Sequence, residues 1–388
     1  MLTVGIDATN LRRGGGRTHL LELLAHANPA QHGITKVVVW GARSTLRLLP
    51  ERDWLLLINP DAQERGLMQR SLWQMCELPR QARVQRCHIL FAPGGSHGGG
   101  FHPVVTMSQN LLPFQFGESL RYGFTFNTLR LLLLRWSQSN SFKNADGVIF
   151  LTDHASRHVQ QTTGCLPGRT RVISHGVNLR FFQPPKPQHP ISAYSDTQPF
   201  RLLYVSIVDL YKHQWHLVEA LGRLRQKTGW PLALDLLGSF YSPALSRLRD
   251  TMRTWDPHGE WVYYHGEVPY NQLNSFYQRS DMGLFASSCE NLPCIQLETM
   301  AAGLPVATSN LPPMSDILGH LGYCFDPENP SDIESVLLRL ISEPGLRTSL
   351  AKECYSVAQQ YSWTACADKT FSFLAEICRH LQVQPLLL

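Results

Sequence analysis

Several features that define large protein classes are absent from this chain of 388 residues. No apolar run approaches the roughly 18 residues of a membrane-spanning helix, so we expect no such helix in this sequence. The first residues, Met1–Asp7, lack a basic region and a cleavage site, and they resemble a first strand rather than a signal peptide. These absences predict a cytoplasmic protein.

The nine cysteines are scattered and form no CxxC pair. This distribution suits a reducing compartment and argues against a zinc site. We expect the thiols to pack as small apolar groups. Cys289 and Cys294 flank an acidic residue, Glu290, and a reactive thiol there is the alternative to simple packing.

Charged residues are scarce, at 17%, whereas hydrophobic residues reach 43%, as in a folded globular protein. The net charge of +5 is unevenly distributed, since residues 1–183 carry +10 and residues 184–388 carry −5. A basic half joined to an acidic half indicates that the first half meets an anionic partner. Nothing in the pattern predicts a nucleic-acid partner.

Strand-like apolar runs that end in glycine or polar loops occur on both sides of a proline-rich stretch at 184–199. Such alternation with helices predicts an α/β fold with parallel sheets. We therefore predict a Rossmann-like domain over 1–183, a linker over 184–199 and a second Rossmann-like domain over 200–362, facing each other across a cleft. A last helix, about 363–381, is expected to pack back on the first domain.

The usual phosphate-binding signatures are missing from the first βα turn. Gly14, Gly15 and Gly16 stand between a strand and a helix, but they form no G-x-G-x-x-G and no Walker lysine follows. A glycine loop there lets the backbone approach a ligand closely. A simple flexible turn explains the same residues equally well.

A strand–loop–helix–strand unit over 282–309 organises the second half. The apolar run 282–286 predicts a buried strand, and Pro293 suits the first turn of a helix. Gly303 and Pro305 are expected to end that helix. The loop then lies at the carboxyl edge of a parallel sheet, where ligands bind.

Two carboxylates belong to this unit, Glu290 in the loop and Glu298 in the helix. Backbone N–H groups near Asn291 and Leu292 would lie at the positive end of the helix, which can bind an anion. Carboxylates that accept hydrogen bonds from hydroxyls, beside N–H groups that bind phosphates, are what a nucleotide sugar requires.

The segment from Leu120 to Ser141 carries Arg121, Arg130 and Arg135 among aromatic and leucine residues. A helix of this composition can lie in a membrane interface. The alternative is a core helix with a solvated arginine edge. An anionic membrane surface is therefore a candidate partner.

The chain resembles retaining glycosyltransferase family 4, whose fold is called GT-B. The resemblance is strong over 200–330 and looser before it. The motifs that carry it are Glu290…Glu298 followed by Met300–Val306, Tyr211–Gln214, His175–Asn178, and Gly14–Gly16 before a helix.

The resemblance implies roles for particular residues. Lys212 would neutralise the donor diphosphate, and with Glu290 it forms the expected catalytic pair. Glu290 would contact hydroxyls of the donor sugar and Glu298 those of the ribose. The backbone at Asn291 and Leu292 would hold phosphate or sugar. The remaining residues of the expected donor site are Gly15, Gly16, Ser206, Gly238 and Gly266.

The implied reaction is a metal-independent transfer from a nucleotide diphosphate sugar, UDP or GDP being expected, with retention of configuration. The acceptor would be a glycan or a lipid-linked saccharide in cell-surface polysaccharide or lipopolysaccharide synthesis, and no cofactor is expected. A nucleotide-sugar epimerase or hydrolase on the same fold, or a non-catalytic GT-B scaffold, are the alternatives.

The chain departs from the family where phosphate charge is met. An arginine often stands six residues before the lysine, but Ser206 occupies that position here. Lys212 must then meet the charge alone or with help from elsewhere. The candidates for such help are Arg12, Arg13 and Arg17.

A second departure concerns the acceptor side. The family often has a histidine after the strand that here ends in Ser108, Gln109 and Asn110. Their side chains cannot act as a base and can only form hydrogen bonds. The remaining acceptor-side candidates are Asn110, His97 or His102, and His175, which alternatively packs at the domain seam.

Overall fold

The computed structural model describes residues 1–12, 14–319 and 323–383. The chain divides into two compact units. Unit one consists of Met1–Phe116, Phe124–Gly176 and Ser362–Leu388, and unit two consists of Gly117–Gly123 and Val177–Tyr361. The segment predicted as a linker, 184–199, lies within unit two, and the last helix belongs to unit one.

Unit one contains seven parallel strands. They are β1 (Leu2–Asp7), β2 (Ile34–Trp40), β3 (Leu55–Ile58), β4 (Ile89–Ala92), β5 (Val104–Met107), β6 (Gly147–Phe150) and β7 (Arg169–Val172). Their order in the sheet is β3-β2-β1-β4-β5-β6-β7. The helices are α1 (Gly14–Ala25), α2 (Arg43–Leu46), α3 (Leu67–Val84), α4 (Phe116–Leu120), which continues into the segment assigned to unit two, α5 (Phe126–Lys143), α6 (Asp153–Thr163) and, at the end of the chain, α14 (Trp363–Val383).

Unit two contains six parallel strands. They are β8 (Phe200–Val205), β9 (Leu232–Leu237), β10 (Val262–Tyr264), β11 (Met282–Phe285), β12 (Val306–Ser309) and β13 (Cys324–Phe325). Their order is β10-β9-β8-β11-β12-β13. The helices are α7 (Gln214–Thr228), α8 (Ser242–Trp255), α9 (Leu273–Arg279), α10 (Cys294–Ala301), α11 (Met314–Leu318), α12 (Pro330–Ser342) and α13 (Pro344–Ala358).

The central strands are buried on both faces. All four residues of β4, β5, β11 and β12 are buried, and their near-continuous apolar sequence is typical of a parallel sheet covered by helices. In each sheet the strand order reverses beside its first strand, between β1 and β4 and between β8 and β11. This is the Rossmann order, and ligands bind outside the carboxyl ends of the strands at that point. The prediction of two Rossmann-like α/β domains is confirmed.

Some element boundaries differ from the sequence predictions. The helix expected from Leu120 begins at Phe126, and α10 begins at Cys294, with Pro293 as its N-cap rather than in its first turn. Strand β13 has only two residues and gave no periodic signal. Across the described ranges, no helix combines the length and apolar character needed to cross a bilayer.

Candidate active site

The loop after β8 places Lys212 at the carboxyl edge of the second sheet. The Lys212 N–H donates to the carbonyl of Asp209 at 3.0 Å, and the Tyr204 hydroxyl donates to the carbonyl of Lys212 at 3.1 Å. His213 follows in the left-handed region, with φ of 52°, and serves as the N-cap of α7. The loop is thus held from both sides, and the lysine side chain is only 7% exposed.

The loop after β11 brings Glu290 to this lysine. The Lys212 ammonium forms an ion pair with Glu290 Oε1, although the residues are 78 positions apart. The Ser288 N–H donates to the carbonyl of Tyr211 at 2.9 Å and joins the two loops. The ammonium also lies 4.9 Å from the ring centroid of Tyr211 and 5.2 Å from that of Phe285. A carboxylate and two aromatic faces therefore compensate a nearly buried charge.

The environment of the pair keeps neighbouring groups protonated. Burial, and then the Glu290 carboxylate, raise the pKa of the Tyr204 and Tyr211 hydroxyls well above the usual value. The same two causes raise the pKa of the Cys289 thiol. A thiol that stays protonated is a poor nucleophile, so the packing interpretation of Cys289 is the one that the structure supports.

The sequence assigned no role to Asp209, or to His213 within the Tyr211–Gln214 motif. Asp209 Oδ1 accepts hydrogen bonds from the Tyr122 hydroxyl at 2.8 Å and from the Leu210 N–H at 2.7 Å, and burial raises the pKa of this carboxyl. Burial lowers the pKa of His213 to about 3, and its Nε2 lies 3.0 Å from Ser288 Oγ. Tyr122 lies 87 positions from Asp209, so no local pattern could have indicated this contact.

Glu298 is buried on α10. Its Oε1 accepts a hydrogen bond from the Tyr270 hydroxyl at 2.8 Å, and the Arg180 guanidinium stacks 3.8 Å from the Tyr270 ring centroid. Asn291 and Leu292 are buried in the turn before the helix. The structure thus places the second carboxylate beside a tyrosine that the sequence did not single out.

Three predicted donor-site positions meet at the carboxyl ends of β8, β9 and β10. A Cβ on Gly238 would lie 2.0 Å from the carbonyl oxygen of Ser206, and the φ of Gly238 is +144°. The Gly238 N–H donates to the carbonyl of Gly266 at 2.8 Å. Only glycine fits this backbone conformation and this close approach.

Unit one holds the remaining predicted residues, and His97 is fully engaged within the fold. Its Nδ1 accepts a hydrogen bond from the Gly99 N–H at 3.2 Å, so its Nε2 carries the proton that is donated to the Ser141 carbonyl at 2.9 Å. Burial lowers the pKa of this ring. Asn110 is exposed, and its Oδ1 accepts from the Leu112 N–H at 3.1 Å. His97 therefore positions a loop in this conformation.

His175 is the middle ring of a stack. Its centroid lies 4.5 Å from that of His19 and 5.3 Å from that of Trp363. Burial lowers the pKa of His19 to about 4 and that of His175 well below the usual value. Both rings are therefore neutral near pH 7. The sequence did not single out His19, which lies on α1.

The glycine loop starts α1. A Cβ on Gly16 would lie 2.9 Å from Leu11 Cδ2 and 3.0 Å from Gln109 Oε1, whereas one on Gly15 would meet nothing within 4 Å. A side chain at Gly16 would thus press on the ends of two flexible side chains, whereas Gly15 borders open space. Of the arginines considered for phosphate charge, Arg17 donates to the Arg12 carbonyl at 3.3 Å, and Arg13 lies outside the described residues.

Among residues 1–12, 14–319 and 323–383, no group of three or more His, Cys, Asp or Glu side chains is arranged to hold a metal ion. Metal independence stays a prediction. Within the described part of unit two, the Lys212 ammonium is the positive charge that pairs with Glu290.

Residues 186–357 match the family described as Glycosyl transferases group 1. The matched segment lies in the second half of the chain. The match covers Lys212, Glu290 and Glu298 and confirms the resemblance on which their roles were predicted. The glycine loop and His175 lie outside it.

Individual comparisons agree with this match. D-inositol 3-phosphate glycosyltransferase from Streptosporangium roseum is 25% identical over 262 residues, which is 62% of this chain and 58% of that protein. The chain thus matches less than two thirds of that relative's length.

Solved structures show the fold. Sucrose-phosphate synthase from Thermosynechococcus elongatus superposes with a TM-score of 0.75 at 16% identity, over 99% of this chain and 100% of that one. Anabaena HepE in complex with UDP and glucose gives a TM-score of 0.65 at 15% identity, over 99% and 100%. The chain has the GT-B fold, as predicted.

Proposed function

We propose that the chain is a retaining, metal-independent glycosyltransferase that uses a nucleotide diphosphate sugar, with UDP or GDP as the nucleotide. The Lys212–Glu290 pair carries this proposal. It lies in the loops after β8 and β11, where the strand order of the second sheet reverses. The match of residues 186–357 to the group 1 family supports a transferase.

The donor must leave as a nucleoside diphosphate, and its departure develops negative charge on phosphate oxygens. A preorganised cation in a water-poor site stabilises such charge more strongly than water does. Lys212 supplies a compact ammonium with three N–H donors. When a diphosphate shares this ammonium, Glu290 becomes free to accept hydrogen bonds from sugar hydroxyls. The UDP bound in HepE supports UDP as a donor nucleotide here.

Retention requires the acceptor hydroxyl to attack from the face on which the diphosphate leaves. The departing phosphate oxygen can take the acceptor's proton, and the oxocarbenium-like sugar is stabilised by the nearby carboxylate and diphosphate charges. His97 is not suited to act as a base in this conformation, because one ring nitrogen donates and the other accepts a hydrogen bond. The proposed mechanism therefore relies on charge stabilisation rather than on His97 as a base.

For the acceptor, we propose a glycan or lipid-linked saccharide of cell-surface polysaccharide or lipopolysaccharide synthesis, at the cytoplasmic face of a membrane. The charge of +10 on residues 1–183 supports an anionic partner. Exposed leucine and aromatic side chains on α5 support a lipid surface. The Streptosporangium relative is named for a phosphorylated acceptor, which agrees with an anionic one.

The proposal is tested by incubating the full chain with UDP-, GDP- and ADP-sugars and with lipid-linked saccharides or inositol phosphate. NMR of the product gives the anomeric configuration, and the same reaction with EDTA tests metal independence. We expect Lys212→Met and Glu290→Gln each to lower turnover by about 100- to 1,000-fold. Lys227→Met is the matched control, because its ammonium pairs with Glu334 at 3.2 Å on the surface and is 62% exposed.

Other products would contradict the proposal in distinguishable ways. Sugar released without an acceptor indicates a hydrolase, and a changed nucleotide sugar indicates an epimerase. Nucleotide binding without any turnover indicates a non-catalytic scaffold. A thermal shift with each nucleotide sugar detects binding independently of catalysis.

A further inference from the structure

The connection between β4 and β5 is unusual for two parallel strands. Residues 93–103 join these parallel strands without a helix, although such crossovers usually contain one. The connection lies instead as a glycine-rich loop between α3 and α5. A Cβ on Gly98 would lie 2.6 Å from the Met75 Cα on α3, and the His97 N–H donates to Ser141 Oγ on α5 at 3.1 Å.

The two helices therefore border an open groove of about 540 Å³. Its lining includes the polar residues Gln74, Ser96 and Asn140. Met75 on α3 and Trp136 on α5 line its opposite sides. Both helices thus present one edge to the same groove.

Each helix carries an exposed apolar ridge along that edge. Positions that differ by four and seven residues lie on one face of a helix, and the ridge residues have this spacing. All of them are more than half exposed: Met68, Leu72 and Met75 on α3, and Leu129, Leu133 and Trp136 on α5. Contiguous exposed apolar surface of this kind marks an interaction site.

The charges on the two helices have one predominant sign. Between them, the helices carry six cationic side chains and a single acidic one, Glu77 on α3. The cationic residues are Arg70, Arg80, Arg83, Arg130, Arg135 and Lys143. The occupant of this face should therefore be anionic as well as apolar.

We propose that α3 and α5 together form a docking face for an anionic lipid bilayer. The two ridges insert among the acyl chains, the cationic side chains bind head groups, and the polar groove between the ridges faces the head-group layer. That the acceptor is a lipid depends on the proposed function. The docking face depends only on the exposed residues and charges of α3 and α5.

A second copy of this chain fits the face less well. In a twofold interface the same surface meets itself, so the predominantly cationic helices of one copy would face those of the other. Such like-charge juxtaposition opposes association. The excess of cations therefore favours a lipid surface over self-association.

The experiment is flotation of the full chain with vesicles of phosphatidylcholine alone or mixed with phosphatidylglycerol. We expect binding to the mixed vesicles at low salt and binding at least about tenfold weaker to phosphatidylcholine or at high salt. Leu72→Ser/Met75→Ser and Leu133→Ser/Trp136→Ser should each weaken binding by about tenfold or more. Leu48→Ser, at a similarly exposed leucine of unit one outside both helices, should bind like the unchanged chain.

Circular dichroism of each variant shows whether it is folded, and exposed serine substitutions are expected to be tolerated. Absence of binding to phosphatidylglycerol vesicles overturns the proposal. It is also overturned if only the substitutions on α5, Leu133→Ser/Trp136→Ser, weaken vesicle binding. Self-association that the same substitutions abolish assigns the face to a second copy and overturns it too. Nucleotide-sugar binding is measured in parallel by thermal shift, without vesicles. Vesicle binding without nucleotide-sugar binding upholds the docking face and contradicts the proposed function.

Discussion

Replacing Lys212 with methionine should destabilise unit two more than replacing Glu290 with glutamine. In Lys212→Met, the Glu290 carboxylate, only 16% exposed, loses its ammonium partner. In Glu290→Gln, the ammonium keeps the ring faces of Tyr211 and Phe285 at 4.9 and 5.2 Å. The two variants therefore leave different charges uncompensated.

The magnitude follows from the burial of the pair. Removing one partner of a buried ion pair costs about 3–5 kcal/mol, and the partial exposure of Glu290 places Lys212→Met near the lower end. When the ammonium remains, its cation–π contacts still contribute about 1–2 kcal/mol of stability. Glu290→Gln should therefore lower the free energy of unfolding by that much less than Lys212→Met does. The double variant should be little worse than Lys212→Met alone, with a coupling energy of about 1–3 kcal/mol.

Native-state hydrogen exchange of the β8 and β11 amides is the appropriate assay, because it reports the stability of unit two within the full chain. The matched control is the exposed pair Lys227–Glu334, whose single substitutions should change stability by less than about 1 kcal/mol. The reasoning is refuted if Lys212→Met is as stable as Lys227→Met, or if the two single effects simply add in the double variant.

Three further predictions concern backbone strain, pH and thiol access. Gly238→Ala should lower the free energy of unfolding by more than about 2 kcal/mol and weaken nucleotide binding. Gly259→Ala is the control, at φ of +69° in open space, and should lower it less. Equal losses in Tm for the two variants would contradict the predicted clash at Gly238. Burial lowers the pKa of His19 from 6.5 to about 4, so this histidine binds a proton more readily in the unfolded chain than in the folded one. The free energy of unfolding should therefore fall as the pH decreases from about 6.5 to 4, by up to about 1.4 kcal/mol per pH unit. His19→Phe should reduce that slope in urea titrations at several pH values, and an unchanged slope would assign it to other groups. Iodoacetamide should modify exposed Cys165 well before buried Cys289 in the folded chain, as peptide mass spectrometry can show; early labelling of Cys289 would contradict its burial.

The strands were largely predictable because parallel strands are encoded by short, uninterrupted apolar runs. The apolar run 282–286 forms β11 (Met282–Phe285), and the predicted unit 282–309 ends at the last residue of β12, Ser309. Helix α3 was not predicted, and it contains Pro79, a residue that usually interrupts helices. Short elements and helices with internal proline lack a distinctive local signal.

The candidate site was predicted residue by residue but not as an arrangement. Lys212 and Glu290 each belong to a recognisable motif, yet their ion pair spans 78 positions. His97 was a candidate for the acceptor side, and the structure shows both of its ring nitrogens engaged by the loop and by α5. Asp209 and Tyr122 had no signal at all, because their hydrogen bond joins segments 87 positions apart.

By itself, the sequence determined the two Rossmann-like halves, the resemblance to a glycosyltransferase family and the motif residues Lys212, Glu290 and Glu298. These depend on local apolar runs, turn residues and short spacings, which are readable along the chain. Only the tertiary structure decided which charge meets which, that His19 and His175 are neutral, and that two helices border one exposed groove. Burial, pKa and surface exposure depend on neighbours that are distant in sequence, so they arise only when the chain folds.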